Sequence, residues 1–563
     1  MNKRPLYAGS GKSKSPADGF EPTPAQLRTV IVASSAGTAF EWYDFFIFGT
    51  LTAIIAKKFF AGVSDTTGLI LAFLVFGAGF IARPFGALVF GHFGDRIGRK
   101  AAFIATTSVM GLCTFLVGLL PTFPQVGIAA PIALVSLRLL QGLAVGGEYG
   151  GAAIYVAEHA PHGRRGFLTS WIQLTAALGY GGAVGAILLI RTIMGEAAFA
   201  DWGWRIPFLT SVVLFLASLY IRVRISESPV FERIKAEGQL ARAPLLEVFF
   251  KWQNLKIAII ALCSIMIAQG TLWYTSHFYA QVFIERTLKV PGATVNSVLI
   301  LAVAISAPMY VFWGWLSDKI GRKPIMLFGI LMGTVLYFPG FQMFTEAGNP
   351  ALAQASKANP VIVAADPAAC SVQFDPVGKA EFLSSCDIAK STLASAGISY
   401  ANERGATAAP AHIRIGASDI AVGNATGATP AERGKARAAI QAKITSALTA
   451  AGYPAQADPA RIDFLKILLV FVVFMVGSTA LYGPMAAALV ELFPTRIRYS
   501  GLSLPYHIGT GWFGGFMPAT ALAIQVSTGN VYSGLWYPVG TGAFCLLFGL
   551  LFFPETRTRD ITQ

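Results

Sequence analysis

The sequence predicts an all-α membrane protein: twelve transmembrane helices in two pseudo-symmetric six-helix bundles. Three observations carry that expectation. The chain of 563 residues is 54% hydrophobic and only 13% charged, with a mean hydropathy of +0.59, whereas ordinary soluble domains carry about a quarter charged residues. A ten-residue stretch occurs twice, GHFGDRIGRK at 91–100 and GWLSDKIGRK at 314–323. Both copies keep the order G-x-x-x-D-[RK]-x-G-R-K between long apolar runs, which reads as a tight basic turn repeated in two halves of one architecture. The remaining bases gather in alternate inter-helix turns, the pattern that holds such turns at the cytoplasmic surface. The net charge of +14 therefore belongs to topology, and nucleic-acid binding is excluded as the source of the basic balance.

Taken in order, apolar runs long enough to span a bilayer fall at about 30–56, 67–92, 101–121, 127–155, 168–192 and 205–224. A second six follow at about 255–283, 294–316, 324–344, 463–490, 500–526 and 532–553. These limits divide the chain into a polar N-terminal tail (1–28) and a first bundle (29–221). A charged linker (222–254) holding Pro229 and Pro244 leads to a second bundle (255–553) and a short tail (554–563). The 1–28 tail is expected to be disordered, and no apolar signal region precedes the first span. Arg96, Arg99 and Lys100, then Arg164 and Arg165, then Lys319, Arg322 and Lys323, then Arg496 and Arg498 all fall on one side, with both termini. That side is expected to be cytoplasmic.

The second bundle is interrupted at 345–462 by an Ala-, Gly-, Ser- and Thr-rich stretch. The orientation rule puts it outside the cytoplasm, as a small domain or a mobile lid. Within it Thr429, Pro430 and Glu432 have the spacing of a helix start, for a helix to about Leu448. Cys370 and Cys386 lie in the same stretch, either as a disulfide or as two unpaired thiols.

Charged groups inside spanning segments are costly and mark function. The first span holds Glu41 and Asp44, three apart on one face. The second holds Arg83, and the fourth holds Arg138, Gln141 and Glu148 beside a stripe of Gly142, Gly146 and Gly150. One expectation pairs Asp44 with Arg138 as a proton-coupling site, with Glu41 nearby. Movement of the guanidinium between states would then switch proton affinity; the alternative is a static ion pair between helices. Arg83 presents a planar fork suited to a substrate carboxylate, or serves as a structural partner for Glu41 or Glu148. Gln141, Glu148 and Tyr149 are further substrate contacts. In the second half Gln269, Trp273 and His277 recur at four-residue spacing with Tyr274 adjacent, as a cavity wall or as packing. Tyr506 and His507 sit among glycines. Glu158, Glu227, Glu491 and Glu555 lie beside the basic turns, where ion pairs between the halves would hold the cytoplasmic side shut. No metal-ligand cluster, P-loop or catalytic constellation is present, so no cofactor, metal or enzymatic activity is expected.

The paired decads are similar to the signature of the major facilitator superfamily. More closely, 34–46 (SSAGTAFEWYDFF), 138–150 (RLLQG…GGEYG), 203–208 (GWRIPF) and 491–501 (ELFPTRIRYSG) resemble the metabolite:proton symporter family. The similarity covers 30–344 and 463–553; the family has a short loop where this chain carries 345–462. The resemblance implies the major facilitator fold and a monomeric rocker-switch carrier in the inner membrane, driven by the proton gradient alone. It aligns Asp44 and Arg138 with a proton-coupling pair. It aligns Asp95 with the signature acid that steadies the outward-facing state, alongside Arg96, Arg99, Asp318 and Arg322 of the two decads. The expected function is symport of protons with a small organic acid, such as a dicarboxylate, α-ketoglutarate or shikimate, by alternating access. The runners-up are a zwitterionic osmolyte such as proline or betaine, and a transporter-derived sensor that uses the insertion.

Overall fold

The computed structural model describes residues 24–61, 65–223, 227, 229–238, 244–371, 383–407, 409–427 and 429–561; most of the predicted N-terminal tail lies outside them. Twelve long helices run through the described residues. The first six are α1 (Pro24–Phe59), α2 (Asp65–Arg96), α3 (Arg99–Leu119), α4 (Ala129–His159), α5 (Arg165–Met194) and α6 (Ile206–Val223). The second six are α7 (Trp252–Thr287), α8 (Gly292–Ile320), α9 (Arg322–Gly348), α10 (Phe464–Leu492), α11 (498–528) and α12 (Trp536–Phe552). Among the described residues, nine helices are long and apolar enough to cross a membrane on length and composition alone. α1, α2 and α11 hold polar groups, among them Glu41, Asp44, Arg83 and His507.

The packing repeats with an offset of six helices. α1 lies on α5, α2 on α4 and α3 on α6; correspondingly α7 lies on α11, α8 on α10 and α9 on α12. The halves meet along α2 against α11 and α5 against α8, again a symmetric pair. Small residues set the close crossings: a Cβ at Gly146 of α4 would overlap the Arg83 carbonyl of α2, so these backbones touch. Two helices of the second half depart from α geometry. α7 contains π-helical turns at Leu262–Met266, Thr275–Tyr279 and Phe283–Thr287, and α11 contains one at Ile508–Gly514.

The long insertion is a folded α/β unit. α9 continues to Gly348, so the unit begins at Asn349, whose side chain caps the next short helix. Strands β1 (Val361–Ala365), β2 (Tyr400–Arg404), β3 (Ala411–Ile415) and β4 (Ser418–Val422) form one sheet in the order β2-β1-β3-β4. β1 and β2 are parallel and the other pairs antiparallel. Alternation along β1 and β3 turns Val361, Val363, Ile413 and Ile415 inward. Helices Ser385–Ser395 and Pro430–Ala450 complete the unit. The second starts with the reciprocal bonds of a capping box between Thr429 and Glu432. Cys370 and Cys386 are bonded, with Cα atoms 5.2 Å apart.

The unit is clipped to the second bundle. Tyr400 N donates to Gly529 O (2.7 Å) and Asn402 Nδ2 to Thr528 O (3.0 Å) in the turn after α11. Asn349 Nδ2 donates to Leu288 O (2.9 Å) and Ala457 N to Lys289 O (3.1 Å) just past α7. The sequence reading did not include its sheet, whose strands β1 to β4 are only five residues each within an Ala-, Gly-, Ser- and Thr-rich stretch.

Candidate functional site

Asp44, on α1, is 3% exposed and faces α3 and α4. Arg138 Nη1 lies 3.9 Å from its Oδ2. Gln141 Nε2 donates to the same oxygen (3.1 Å) and to Thr114 Oγ1 of α3 (2.9 Å). Asp44 Oδ1 and Arg138 Nε and Nη2 are buried without a hydrogen-bond partner. The guanidinium instead lies 3.5 Å over the Phe48 ring, a cation–π contact. This is a long, half-satisfied pair. The carboxylate is held by one neutral amide and one distant cation, so a proton on Oδ1 would disrupt no hydrogen bond. Gln141 therefore sits with the Asp44 carboxylate and not among the cavity residues where the sequence reading put it.

Glu148, one of the expected substrate contacts, is also elsewhere. Both of its oxygens are taken by Arg222, with Nη1 to Oε2 at 3.1 Å, and Thr106 and Thr107 donate to Oε2 at 2.9 and 3.0 Å. Arg222, where the expected sixth span and linker overlap, is the penultimate residue of α6 and is 1% exposed. Its guanidinium passes over α1 at Gly37, where any Cβ would overlap it. A buried charge without a partner is expensive, so a counter-ion for Glu148 was the signal in the sequence; the count of charges, not spacing, would have found it.

Two cavities lie along the contact between the bundles. The first, a narrow space, is lined by Thr38, Glu41, Trp42, Phe45, Arg83 and Val145, with Tyr149, Tyr506 and His507. Arg83 lies over the rings of Phe80 (4.4 Å) and Phe45 (5.5 Å), and no carboxylate is within 4.0 Å of it among the described residues. Tyr149 and Tyr506 stack face to face across the two halves, with centroids 3.7 Å apart. Their hydroxyls are occupied by Gln173 Nε2 (2.7 Å) and the Tyr482 hydroxyl (3.2 Å). The second cavity, also narrow, is aromatic, with Phe46, Tyr180, Trp273, His277, Phe278 and Tyr310 in its wall. Trp273 Nε1 donates to Tyr310 Oη (3.1 Å), and its ring stacks on His277. Trp42 and Trp273, with centroids 5.5 Å apart, stand between the two spaces. Tyr274 packs on Phe80 and Phe278, and Gln269 is buried in α7 with Oε1 unpartnered; neither is in the wall of these two cavities.

At the end of the bundle that carries the decads, each decad's aspartate reaches across to the other half. Asp95 accepts from Tyr499 N (3.2 Å) and Ser500 N (2.9 Å) at the start of α11. Asp318 accepts from Gly166 N (2.9 Å) and Phe167 N (2.7 Å) at the start of α5. Carboxylates at helix N-termini satisfy the free N–H groups and meet the positive end of the dipole. Glu158 pairs with Arg498 (2.8 Å), also between halves, and Glu491 lies 4.0 Å from Arg165. Arg322 binds Asp318 (2.7 Å) and Glu491 (3.1 Å) within its own half. Glu555 accepts from Arg322 N (2.9 Å) and Lys323 N (3.1 Å), while Glu227 accepts from Lys100 N, so each caps a helix of its own half. Arg96 is exposed, and the side chain of Arg99 lies outside the described residues.

Comparison with known proteins agrees with this architecture. A family model described as "Sugar (and other) transporter" matches residues 29–248. The shikimate transporter of Escherichia coli (strain K12) is 37% identical over 322 residues, which cover 56% of this chain and 72% of that protein. The inner membrane metabolite transport protein YhjE of the same organism is 38% identical, over 59% of this chain and 76% of its own length. The proline/betaine transporter of that strain is 36% identical, over 56% of this chain and 64% of its own length. Among solved structures, the proton:xylose symporter XylE bound to 6-bromo-6-deoxy-D-glucose shares the fold. Its TM-score is 0.62 at 16% identity, over 96% of this chain and 98% of that one. The chain belongs to the major facilitator superfamily of sugar and metabolite transporters. It is a membrane-spanning secondary transporter of the sugar or metabolite type.

Proposed function

We propose that the chain imports a small carboxylate together with protons across the inner membrane, as a monomer and by alternating access. The organic-acid class includes dicarboxylates, α-ketoglutarate and shikimate. The observation that carries the reading is Arg83: a guanidinium in the wall of the inter-bundle cavity with no carboxylate within ion-pairing distance among the described residues. A planar fork with no protein carboxylate in that setting has the chemistry to hold a bidentate carboxylate. Tyr149 and Tyr506 stack across the halves and would frame the apolar body of the substrate. Asp44 and Arg138 form the proton site, separate from the cavity; Trp273 and Tyr310 line the neighbouring aromatic space on the substrate's path. The inter-half caps by Asp95 and Asp318 close the decad end, taken as cytoplasmic from its bases, and the proton gradient supplies the energy without a cofactor.

Glu41 in the same cavity supports a second reading. If it stays ionised, Arg83 and Glu41 together suit a zwitterion such as proline. Uptake of labelled α-ketoglutarate, shikimate, citrate and proline into vesicles with an inside-alkaline gradient separates the two. Accumulation of an acid that collapses with an uncoupler supports the carboxylate reading. Accumulation of proline alone overturns it.

A further inference from the structure

The middle of the first bundle holds three carboxylates, Glu41, Asp44 and Glu148, and three guanidiniums, Arg83, Arg138 and Arg222. Two pairs are made: Asp44 with Arg138, and Glu148 with Arg222. Glu41 and Arg83 are left over. Both line the same cavity, yet neither is within 4.0 Å of an opposite charge among the described residues. Glu41 Oε2 and Arg83 Nε are buried without hydrogen-bond partners.

We propose that Glu41 is a second proton-binding carboxylate, distinct from Asp44, which takes up a proton when a substrate carboxylate docks on Arg83. The inference rests on the carboxylate reading above. The charges facing Glu41 are Asp44 on its own helix, Arg83 on α2, Glu148 on α4 and Arg222 on α6. Tyr149 on α4 and Tyr506 and His507 on α11 are the other titratable neighbours. Asp44 and Glu148 are each matched by their own arginine, so Arg83 is the one of these charges that a ligand can cancel. Burial and the charge of Glu148 favour a neutral Glu41 and Arg83 opposes them, so the charge of Glu41 depends on Arg83; with Glu41 ionised, the two sum to zero in the empty cavity. When an anionic carboxylate pairs with Arg83, it withdraws that support and repels Glu41 at short range in a medium that screens poorly. Glu41 then accepts a proton from water and becomes a neutral acid, able to donate a hydrogen bond to the bound anion. The cavity again sums to zero: one carboxylate and one proton have entered together. A zwitterionic ligand brings its own cation and needs no such proton.

Two measurements on the purified full-length protein test this. Dicyclohexylcarbodiimide reacts with protonated carboxyls in apolar surroundings, and mass mapping of peptides reports which carboxyl is modified. Arg83→Gln removes the charge that a ligand would neutralise. Glu41 modification at neutral pH is expected to rise about tenfold, equivalent to a shift of one unit in its titration, while Arg83→Lys stays near wild type. Equal Glu41 modification in wild type and Arg83→Gln overturns the proposal, whatever the substrate. In weakly buffered solution, shikimate binding is expected to take up about one proton per molecule, as a charge-neutral cavity requires. That uptake should persist in Asp44→Asn and vanish in Glu41→Gln. Its loss in Asp44→Asn with persistence in Glu41→Gln also overturns the proposal. Failure of shikimate to bind the wild type counts against the choice of substrate, and the carbodiimide result then decides the Glu41–Arg83 linkage alone.

Discussion

Arg222 and Glu148 show how much a single buried charge governs in this bundle. The pair is 0% and 2% exposed at its side chains, and Thr106 and Thr107 complete the shell of the carboxylate. Removing one partner strands the other, at a cost of about 3–5 kcal/mol, whereas replacing both with apolar groups is often neutral. Arg222→Met should therefore lower the thermal midpoint of the detergent-purified protein sharply. Arg222→Met combined with Glu148→Leu should recover most of the loss. A double variant as unstable as the single would show that the guanidinium matters for something other than its partner. The Asp44 pair has the opposite character, with a 3.9 Å separation and an empty carboxylate oxygen. One pair is built to stay and the other is built loosely enough to change state. In the sequence both looked alike, as acids and bases inside apolar runs. Spacing placed Asp44, Arg138 and Arg83 correctly on spanning helices but could not say which acid meets which base. That depends on how α1, α4 and α6 rotate against one another, which the glycines decide.

At the scale of elements, the two decads do more than turn the chain. Each places its aspartate on the first N–H groups of a helix in the opposite half: Asp95 on α11 and Asp318 on α5. A side-chain cap of this kind is worth about 0.5–2 kcal/mol, and a charged one gains further from the dipole. Asp95→Asn and Asp318→Asn are each expected to weaken closure of the decad end by about 1 kcal/mol, roughly a fivefold shift in population. A cysteine placed at Ser503, which packs against Gly150 at the inter-half contact, would report the change. Its reaction with a maleimide should accelerate in both variants, in a background without other reactive thiols. Acceleration in one variant only would contradict the symmetric role. The duplication was legible in sequence because six of ten residues are identical at the same spacing, the aspartate and the G-R-K ending among them. The cross-half capping was not, since the N–H groups it satisfies belong to a backbone that no residue type reports. Glu227 and Glu555 misled for a related reason: an acid beside basic turns suggests ion pairs, but theirs are backbone caps within one half.

For the whole molecule, the packing of six helices is repeated by the next six, and the halves touch along two symmetric seams. Two rigid bodies joined at seams of small residues can rock about them, and a cavity between them is exposed to each side in turn. The inserted α/β unit is fastened to the ends of α7 and α11 and so travels with the second body. Composition and hydropathy were enough to give the helices, because a bilayer imposes a length and polarity that few sequences meet by accident. They were not enough for the insertion, whose short strands carry weak alternation. The central claim is that proton binding at Asp44 drives accumulation. It is tested most directly by comparing wild type and Asp44→Asn in proteoliposomes under an inside-alkaline gradient, using the acid that the wild type accumulates. The account predicts that Asp44→Asn loses gradient-driven accumulation while retaining exchange of internal for external substrate. Full active accumulation by Asp44→Asn would contradict it.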